Sequence, residues 1–356
     1  MKKKKILHIV ESFGGGVFSF IVDLVNSIDK DCDITIAYGI REETPENFEE
    51  YFSNEVSFIK IENFTRKINL SEDYKAFKEI RKVIKEIKPD IVHLHSSKAG
   101  FIGRFAINGR KTKVIYNPHG FSFLKLDDSK LKRFIYKFLE KVATFRKSII
   151  VGCSEGEYKE ALKLTKNSIC INNGIGIENI KSNVKKINLK NITICTSGRI
   201  TYQKNPELFN KIAESFPNLK FVWIGDGDFK SKLTSENIMI SGWKTREEGL
   251  NILNENNIFI LPSLWEGLPI TLLEAMYMKK ICIVSNVVGN RDVIENEING
   301  FIANDLNDYI NIINNIIDNK YDLEKITNNA HIEIIENYDI KKMCGEYMKL
   351  YDISKM

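Results

Sequence analysis

The chain has no stretch approaching the ~20 uninterrupted apolar residues that span a bilayer, so an integral membrane protein is not expected. The lysine-rich start, Met1 to Lys5, has the charge of a secretory leader, but the apolar run behind it is only Ile6 to Val10, broken by His8 and stopped by Glu11. That segment reads as a first β-strand. The six cysteines (Cys32, Cys153, Cys170, Cys195, Cys282, Cys344) are scattered without a C-x-x-C pair, which argues against a disulfide framework and predicts reduced thiols in a cytoplasmic protein. No Gly-Lys-Ser/Thr is present, so there is no P-loop. There is no G-x-G-x-x-G either, and Tyr38-Gly39-Ile40 after the second strand offers no acid to a dinucleotide ribose, which disfavours a nicotinamide dehydrogenase. No short-period repeat, long low-complexity segment or DNA- or RNA-reading motif is found, and nucleic acid ranks last among partners.

What is present is a two-domain pattern. At 356 residues, 43% apolar and 28% charged, the chain is globular in composition and longer than one hydrophobic core usually covers. Short β-branched runs at 6–10, 34–38, 56–61, 91–94, 114–116 and 149–151 read as strands, with helical patterns such as Val17 to Ile28, Tyr74 to Ile87 and Leu131 to Val142 between them. This alternation predicts a parallel, doubly wound sheet. The pattern restarts after a polar Lys/Asn-rich linker, Asn183 to Asn191, with strands at 192–195, 219–224, 258–261 and 281–284. An amphipathic helix begins at Asp339, its apolar face Ile340, Met343, Tyr347 and Leu350 or Tyr351. The net charge of +5 is modest but unevenly spread, which suggests a surface that meets anions.

Several clusters carry chemistry. In Glu11-Ser12-Phe13-Gly14-Gly15-Gly16-Val17, three glycines let a ligand approach the backbone and the next helix offers its N-terminal amides to a phosphate; a plain tight turn is the equal alternative. In Leu264 to Met276, Pro269 suits a helix's first position, leaving Glu266 in the loop and Glu274 about a turn inside. Apolar neighbours bring Glu274 near the buried side, where an acid needs a partner. Arg199 and Lys204, at a strand's C-terminal end, form a cationic clamp suited to a diphosphate, the plainer reading being two solvated bases. His93 and His95 share one face of a strand, but no third ligand of suitable spacing is evident, so core or loop histidines are expected rather than a metal site. Over 130–147, Lys130, Lys132, Arg133, Lys137, Lys141, Arg146 and Lys147 decorate a helix carrying Leu131, Phe134, Ile135, Phe138, Leu139 and Val142. An anionic membrane surface and a merely solvated basic face stand level there.

The segment Leu264 to Met276 resembles the E-x7-E motif of the family 4 retaining glycosyltransferases, with Glu266 and Glu274 as its acids. Thr196 to Pro206 is similar to that family's G-R-x-x-x-x-K segment, and further similar segments stand at Phe221 to Gly227, Ile240 to Trp243 and Asn172 to Ile175. The likeness covers nearly the whole chain. It implies the α/β GT-B fold, two Rossmann-like doubly wound parallel-sheet domains facing across a cleft: residues 1–182 as acceptor domain, completed by the C-terminal helix 339–356, and residues 191–338 as nucleotide-sugar donor domain.

By function, the likeness implies that a hexose or N-acetylhexosamine moves with retention from a nucleotide-diphosphate sugar, UDP by preference, to a glycan or polyprenyl-linked saccharide in bacterial surface polysaccharide or lipopolysaccharide synthesis. No cofactor and no metal are expected. The chain would be cytoplasmic, with peripheral attachment to the inner face of the membrane left open. His119, Arg199, Lys204 and Glu266 match catalytic positions; Gly15, Gly16, Asn173, Gly225, Trp243, Gly267, Leu268, Pro269, Ile270 and Glu274, with Arg199 and Lys204, match donor-binding ones. His95, Ser97 and Lys98 would lie toward the acceptor. A nucleotide-sugar epimerase of the same architecture and a non-catalytic nucleotide- or glycan-binding protein are the alternatives.

Overall fold

Strands that are apolar along their whole length must be covered on both faces, and parallel sheets flanked by helices provide that cover. The chain forms two compact units, Met1–Asn173 with Ile340–Met356, and Gly174–Asp339. The computed structural model describes residues 3–65, 68–107, 112–180, 185, 187 and 189–352; of the linker expected over 183–191, only 185, 187 and 189–191 are among them.

In the first unit β1 (Lys4–Val10), α1 (Gly15–Ile28), β2 (Cys32–Tyr38), β3 (Ser57–Lys60), α2 (Leu70–Ile87), β4 (Ile91–His95), α3 (Ser97–Ala106), β5 (Lys113–Asn117), α4 (Lys130–Ala143), β6 (Ile149–Gly152), α5 (Glu155–Leu162) and β7 (Ser168–Cys170) follow in order. All strands are parallel, in the order β3-β2-β1-β4-β5-β6-β7. One face of the sheet buries Phe18, Ile21 and Leu24 of α1, and the other buries Ala76 and Ile80 of α2 with Ile102 of α3. Asn69 caps α2 by accepting from the amides of Ser71 and Glu72.

The second unit runs β8 (Thr193–Ser197), α6 (Pro206–Ser215), β9 (Lys220–Ile224), β10 (Ile238–Ile240), α7 (Arg246–Glu255), β11 (Ile258–Leu261), α8 (Ile270–Tyr277), β12 (Ile281–Ser285), β13 (Phe301–Ala303), α9 (Leu306–Ile317) and α10 (Leu323–Asn337). Its sheet is again parallel, in the order β10-β9-β8-β11-β12-β13. The last helix, α11 (Ile340–Leu350), packs on α1 and adds Met343, Tyr347 and Met348 to the first unit's core. The amphipathic tail therefore covers the first sheet rather than its own neighbours in sequence.

Three short strands, β7, β10 and β13, are absent from the periodicity reading because three residues are too few for an apolar pattern to register. Pro269 is the N-cap of α8, one residue outside the position its sequence context suggested. The largest departure concerns α4. A domain helix turns its apolar stripe inward, yet Leu131 is 70% exposed, Phe134 67% and Phe138 58%, while the buried residues are Glu140 and Ala143.

A polar anchor sets this orientation. Glu140 meets the fully buried Arg104 of α3 at 2.5 Å and accepts from the Tyr116 hydroxyl at 2.8 Å, while Arg104 also donates to the Gly100 carbonyl at 2.8 Å. The Arg104 guanidinium lies 4.4 Å from the centre of the Tyr116 ring. Removing one partner strands the other charge in the interior, so Glu140→Ala is expected to cost about 3 kcal/mol, read from the urea midpoint. A loss below about 0.5 kcal/mol contradicts this account of α4's seating, since that is the scale of a neutral surface change.

Candidate functional site

A parallel sheet delivers the C-terminal ends of its strands to one edge, and ligands of open α/β sheets bind where the strand order reverses. In the first unit the reversal lies between β1 and β4, in the second between β8 and β11. The loops singled out from the sequence leave the sheets there. Gly15 and Gly16 follow β1, Ser97 and Lys98 follow β4, Arg199 and Lys204 follow β8, and Glu266 to Pro269 follow β11. His119, Gly225 and Trp243 follow β5, β9 and β10 on neighbouring strands.

In the second unit the expected cations and acids meet. Lys204 Nζ lies 2.6 Å from Glu266 Oε1, and Gln203 Nε2 donates to the Trp265 carbonyl at 2.8 Å and to Glu266 Oε2 at 3.4 Å. Glu266 is therefore a buried carboxylate held by its neighbours, not a solvated loop acid. Arg199 sits 3.1 Å from Asp228, whose side chain is well exposed. Glu274, 6% exposed, has the partner its burial demands: Arg246 Nε at 3.0 Å, from the first turn of α7. Gly225 takes φ +137, and a Cβ there would lie 2.4 Å from the Gly198 carbonyl, so the β8 and β9 loops touch only because it is glycine.

The start of α8 suits an anion. Pro269 supplies no side-chain cap and no acid lies in the first turn, so the N-terminal amides and their dipole remain uncompensated by side chains. Gly267 and Leu268 lead into this turn, Ile270 opens it, and the Thr271 hydroxyl is buried there without a hydrogen-bond partner among the described residues. Thr271 carried no signal in the sequence, being one Thr in an apolar helix. Trp243 is 53% exposed beside the left-handed Gly242.

In the first unit the loop after β1 is open where it matters: Gly15 has φ +55, and a Cβ on Gly15 or Gly16 would meet nothing within 4 Å. No acid sits in the first turn of α1 and no side chain caps Gly14. Asn173 is buried, its amide donating to the Cys153 carbonyl at 3.1 Å. Lys98 is bound to Asp73 and the Thr65 carbonyl, both at 2.6 Å, and Ser97 Oγ accepts from the Ser122 amide at 3.3 Å. His95, expected toward the acceptor, has no exposed surface at all.

His95 belongs instead to a buried cluster, and His8 is the member that sequence spacing alone did not reveal. β1 pairs with β4 so that His8 stands beside His93, and His8, His93 and His95 offer ring nitrogens all within 4.8 Å of one another. His8 Nδ1 is 3.0 Å from His95 Nε2, and His95 Nδ1 is 3.1 Å from His119 Nε2. Both His93 nitrogens are engaged, Nδ1 with the Tyr351 hydroxyl and Nε2 with Asn117 Oδ1, each at 2.6 Å. Burial pushes His93 down to about 4 and His119 to about 3, and holds His8 and His95 well below the usual imidazole range, so the rings are neutral at working pH. His119 itself has φ +52, and the next amide, Gly120, donates to the buried Glu157 at 2.6 Å.

Comparison with known proteins places the chain in a family. Residues 177–332 match the family described as glycosyl transferases group 1, and residues 12–151 match the one described as glycosyl transferase 4-like. The UDP-Gal:alpha-D-GlcNAc-diphosphoundecaprenol alpha-1,3-galactosyltransferase of Escherichia coli is 31% identical over 337 residues, covering 85% of each chain. The N,N'-diacetylbacillosaminyl-diphospho-undecaprenol alpha-1,3-N-acetylgalactosaminyltransferase of Campylobacter jejuni is 26% identical over 307 residues, 78% of this chain and 81% of that one. Among solved structures, Anabaena Alr3699/HepE in complex with UDP and glucose superposes with a TM-score of 0.79 at 15% identity over 98% of this chain and 99% of that one, a likeness of fold. With two parallel-sheet units and these matches along its length, the chain belongs to the GT-B glycosyltransferases of the group 1 and 4-like family.

Proposed function

We propose that this glycosyltransferase moves a hexose or N-acetylhexosamine, with retention and without a metal ion, from a UDP-sugar to a saccharide carried on polyprenyl diphosphate, in the assembly of a bacterial surface polysaccharide. The observation that carries the reading is the Lys204–Glu266 pair, a cation and a buried acid held 2.6 Å apart on two adjacent strand ends. The activities of the Escherichia coli and Campylobacter jejuni relatives support the acceptor, and the UDP and glucose of the Anabaena structure support the donor.

Chemically, the bond from the anomeric carbon to the diphosphate oxygen breaks while the acceptor oxygen bonds to the same face of the sugar. The acceptor's proton passes to the leaving diphosphate, which serves as base. Arg199, Lys204, the α8 amides and Thr271 would take the negative charge that develops on the leaving group, the task a divalent ion performs in other transferases. Glu266 would hold donor-sugar hydroxyls near the oxocarbenium-like transition state. Glu274 would hold the ribose hydroxyls, exchanging part of its bond to Arg246 for them. From the first unit we assign Gly15 and Gly16 to phosphate, and His119 to the donor sugar.

The exposed face of α4 supports attachment to an anionic bilayer, where the polyprenyl acceptor resides. Leu131, Phe134, Ile135 and Phe138 point to solvent, and Phe145 just beyond the helix is 88% exposed. Fully burying such a side chain is worth about 1.5–3 kcal/mol. Lys130, Lys132, Lys137 and Lys147 are exposed around them, whereas Arg133, Lys141 and Arg146 already donate to backbone carbonyls. A basic helix with apolar residues on its outer face fits a lipid interface.

Replacing Arg199 with Ala is expected to lower kcat by at least ~10²-fold, the usual cost of removing one group that stabilises developing negative charge. An unchanged initial rate in a donor-turnover assay contradicts its role. For α4, the pair Phe134→Ser and Phe138→Ser is expected to weaken cosedimentation with phosphatidylglycerol vesicles at least ~10-fold without lowering the melting temperature. Retained binding would remove the membrane assignment.

A further inference from the structure

The three-histidine chain His8–His95–His119 fixes more than the position of its rings. Each N···N hydrogen bond, at 3.0 and 3.1 Å, needs one N–H and one bare nitrogen. Neutral imidazoles carry one proton each, so only two arrangements satisfy both bonds, and each sets all three rings together. In the first, protons point toward His8: His119 Nε2–H donates to His95, His95 Nε2–H donates to His8, and His8 must carry its own proton on Nε2. In the second, they point toward His119: His8 Nδ1–H donates to His95, His95 Nδ1–H donates to His119 Nε2, and His119 carries its proton on Nδ1.

The far end of the chain chooses between them. His8 Nε2 is buried and has no hydrogen-bond partner among the described residues. An orphaned buried N–H is rarer in folded proteins than an orphaned acceptor, so the first arrangement, which strands a donor there, is the costlier. His93 does not compete for these protons. Its Nε2–H donates to Asn117 Oδ1, because that amide's nitrogen is already donating to the Tyr347 hydroxyl at 2.6 Å, and its bare Nδ1 accepts from Tyr351. The ring planes agree with a continuous chain: His8 and His95 are inclined by 16°, as are His95 and His119.

We propose that His95, backed by His8, is a positioning residue that holds His119 as the Nδ1–H tautomer, so that His119 meets a substrate oxygen as a hydrogen-bond donor. This rests on the reading of His119 as a donor-sugar residue. The substrate group is thereby restricted to an acceptor oxygen, such as a sugar hydroxyl lone pair or a phosphate oxygen. The left-handed backbone at His119 and the Gly120 amide bound to Glu157 hold the ring's stem while the chain holds its face.

The test is nitrogen NMR on the full-length protein labelled with 15N-histidine, together with initial rates. The wild-type His119 is expected to show a protonated Nδ1 and a bare Nε2. His95→Leu removes the donor to Nε2 and is expected to move the proton to Nε2 and lower kcat about tenfold, the scale of one hydrogen bond. His95→Gln, whose amide N–H can replace the lost donor, should restore both. A wild-type proton on His119 Nε2 overturns the proposal, and that spectrum decides it even if His95→Leu does not fold. A His95→Leu protein with an unchanged His119 tautomer overturns it too. Undiminished turnover of His119→Ala would instead overturn the assignment of His119 to the donor sugar, a result the tautomer measurement does not depend on.

Discussion

Lys204 on the loop after β8 and Glu266 on the loop after β11 meet at 2.6 Å because β8 and β11 are neighbours in a parallel sheet whose order reverses between them. That single ion pair links the two segments to which we assign the donor chemistry. A buried carboxylate without a cation would be expensive, so the place proposed for Glu266 beside the donor sugar depends on Lys204 and Gln203 standing beside Glu266. Arg199 shares the Lys204 loop, and α8 begins four residues beyond Glu266 with no acid in its first turn. The arrangement brings two cations and the α8 amides to one strand edge, which suits the leaving diphosphate of the metal-free reaction we propose.

The first unit is organised around polar groups in its core. His8, His93 and His95 lie on the two central strands with zero exposure, and the tail helix α11 reaches them through Tyr347 and Tyr351. Burial keeps these rings neutral, which turns them from charges into directional hydrogen-bonding groups. On the opposite face of the same sheet, the Arg104–Glu140 pair seats α4 by its polar residues. Its Phe134 and Phe138 side chains are left outward. A helix anchored in this way gives up apolar burial within its own unit, a cost that makes physical sense if a lipid surface supplies it.

How much of this could be read from the sequence depends on range. The long strands and helices announced themselves through apolar period, and the acids Glu266 and Glu274 through position relative to Pro269. The need of Glu274 for a partner is legible from its apolar neighbours, but the partner, Arg246, sits 28 residues earlier on another helix, a distance along the chain that no spacing rule spans. The histidines show the same limit. His93 and His95 could be placed on one strand face, while His8 joined them only once β1 was known to pair with β4. For α4 the composition was legible and the direction was not, because a tertiary ion pair between Arg104 and Glu140 overrode the apolar stripe.

The measurement that tests the account most directly is product analysis with purified protein, a panel of UDP-sugars and a polyprenyl-diphosphate saccharide, in excess EDTA. The account predicts that one donor is consumed, that the acceptor gains one sugar, and that an α-linked donor gives an α-linked product by NMR. A β-linked product would contradict retention, a requirement for added metal would contradict the role given to Arg199 and Lys204, and epimerised donor without transfer would contradict the proposed reaction altogether.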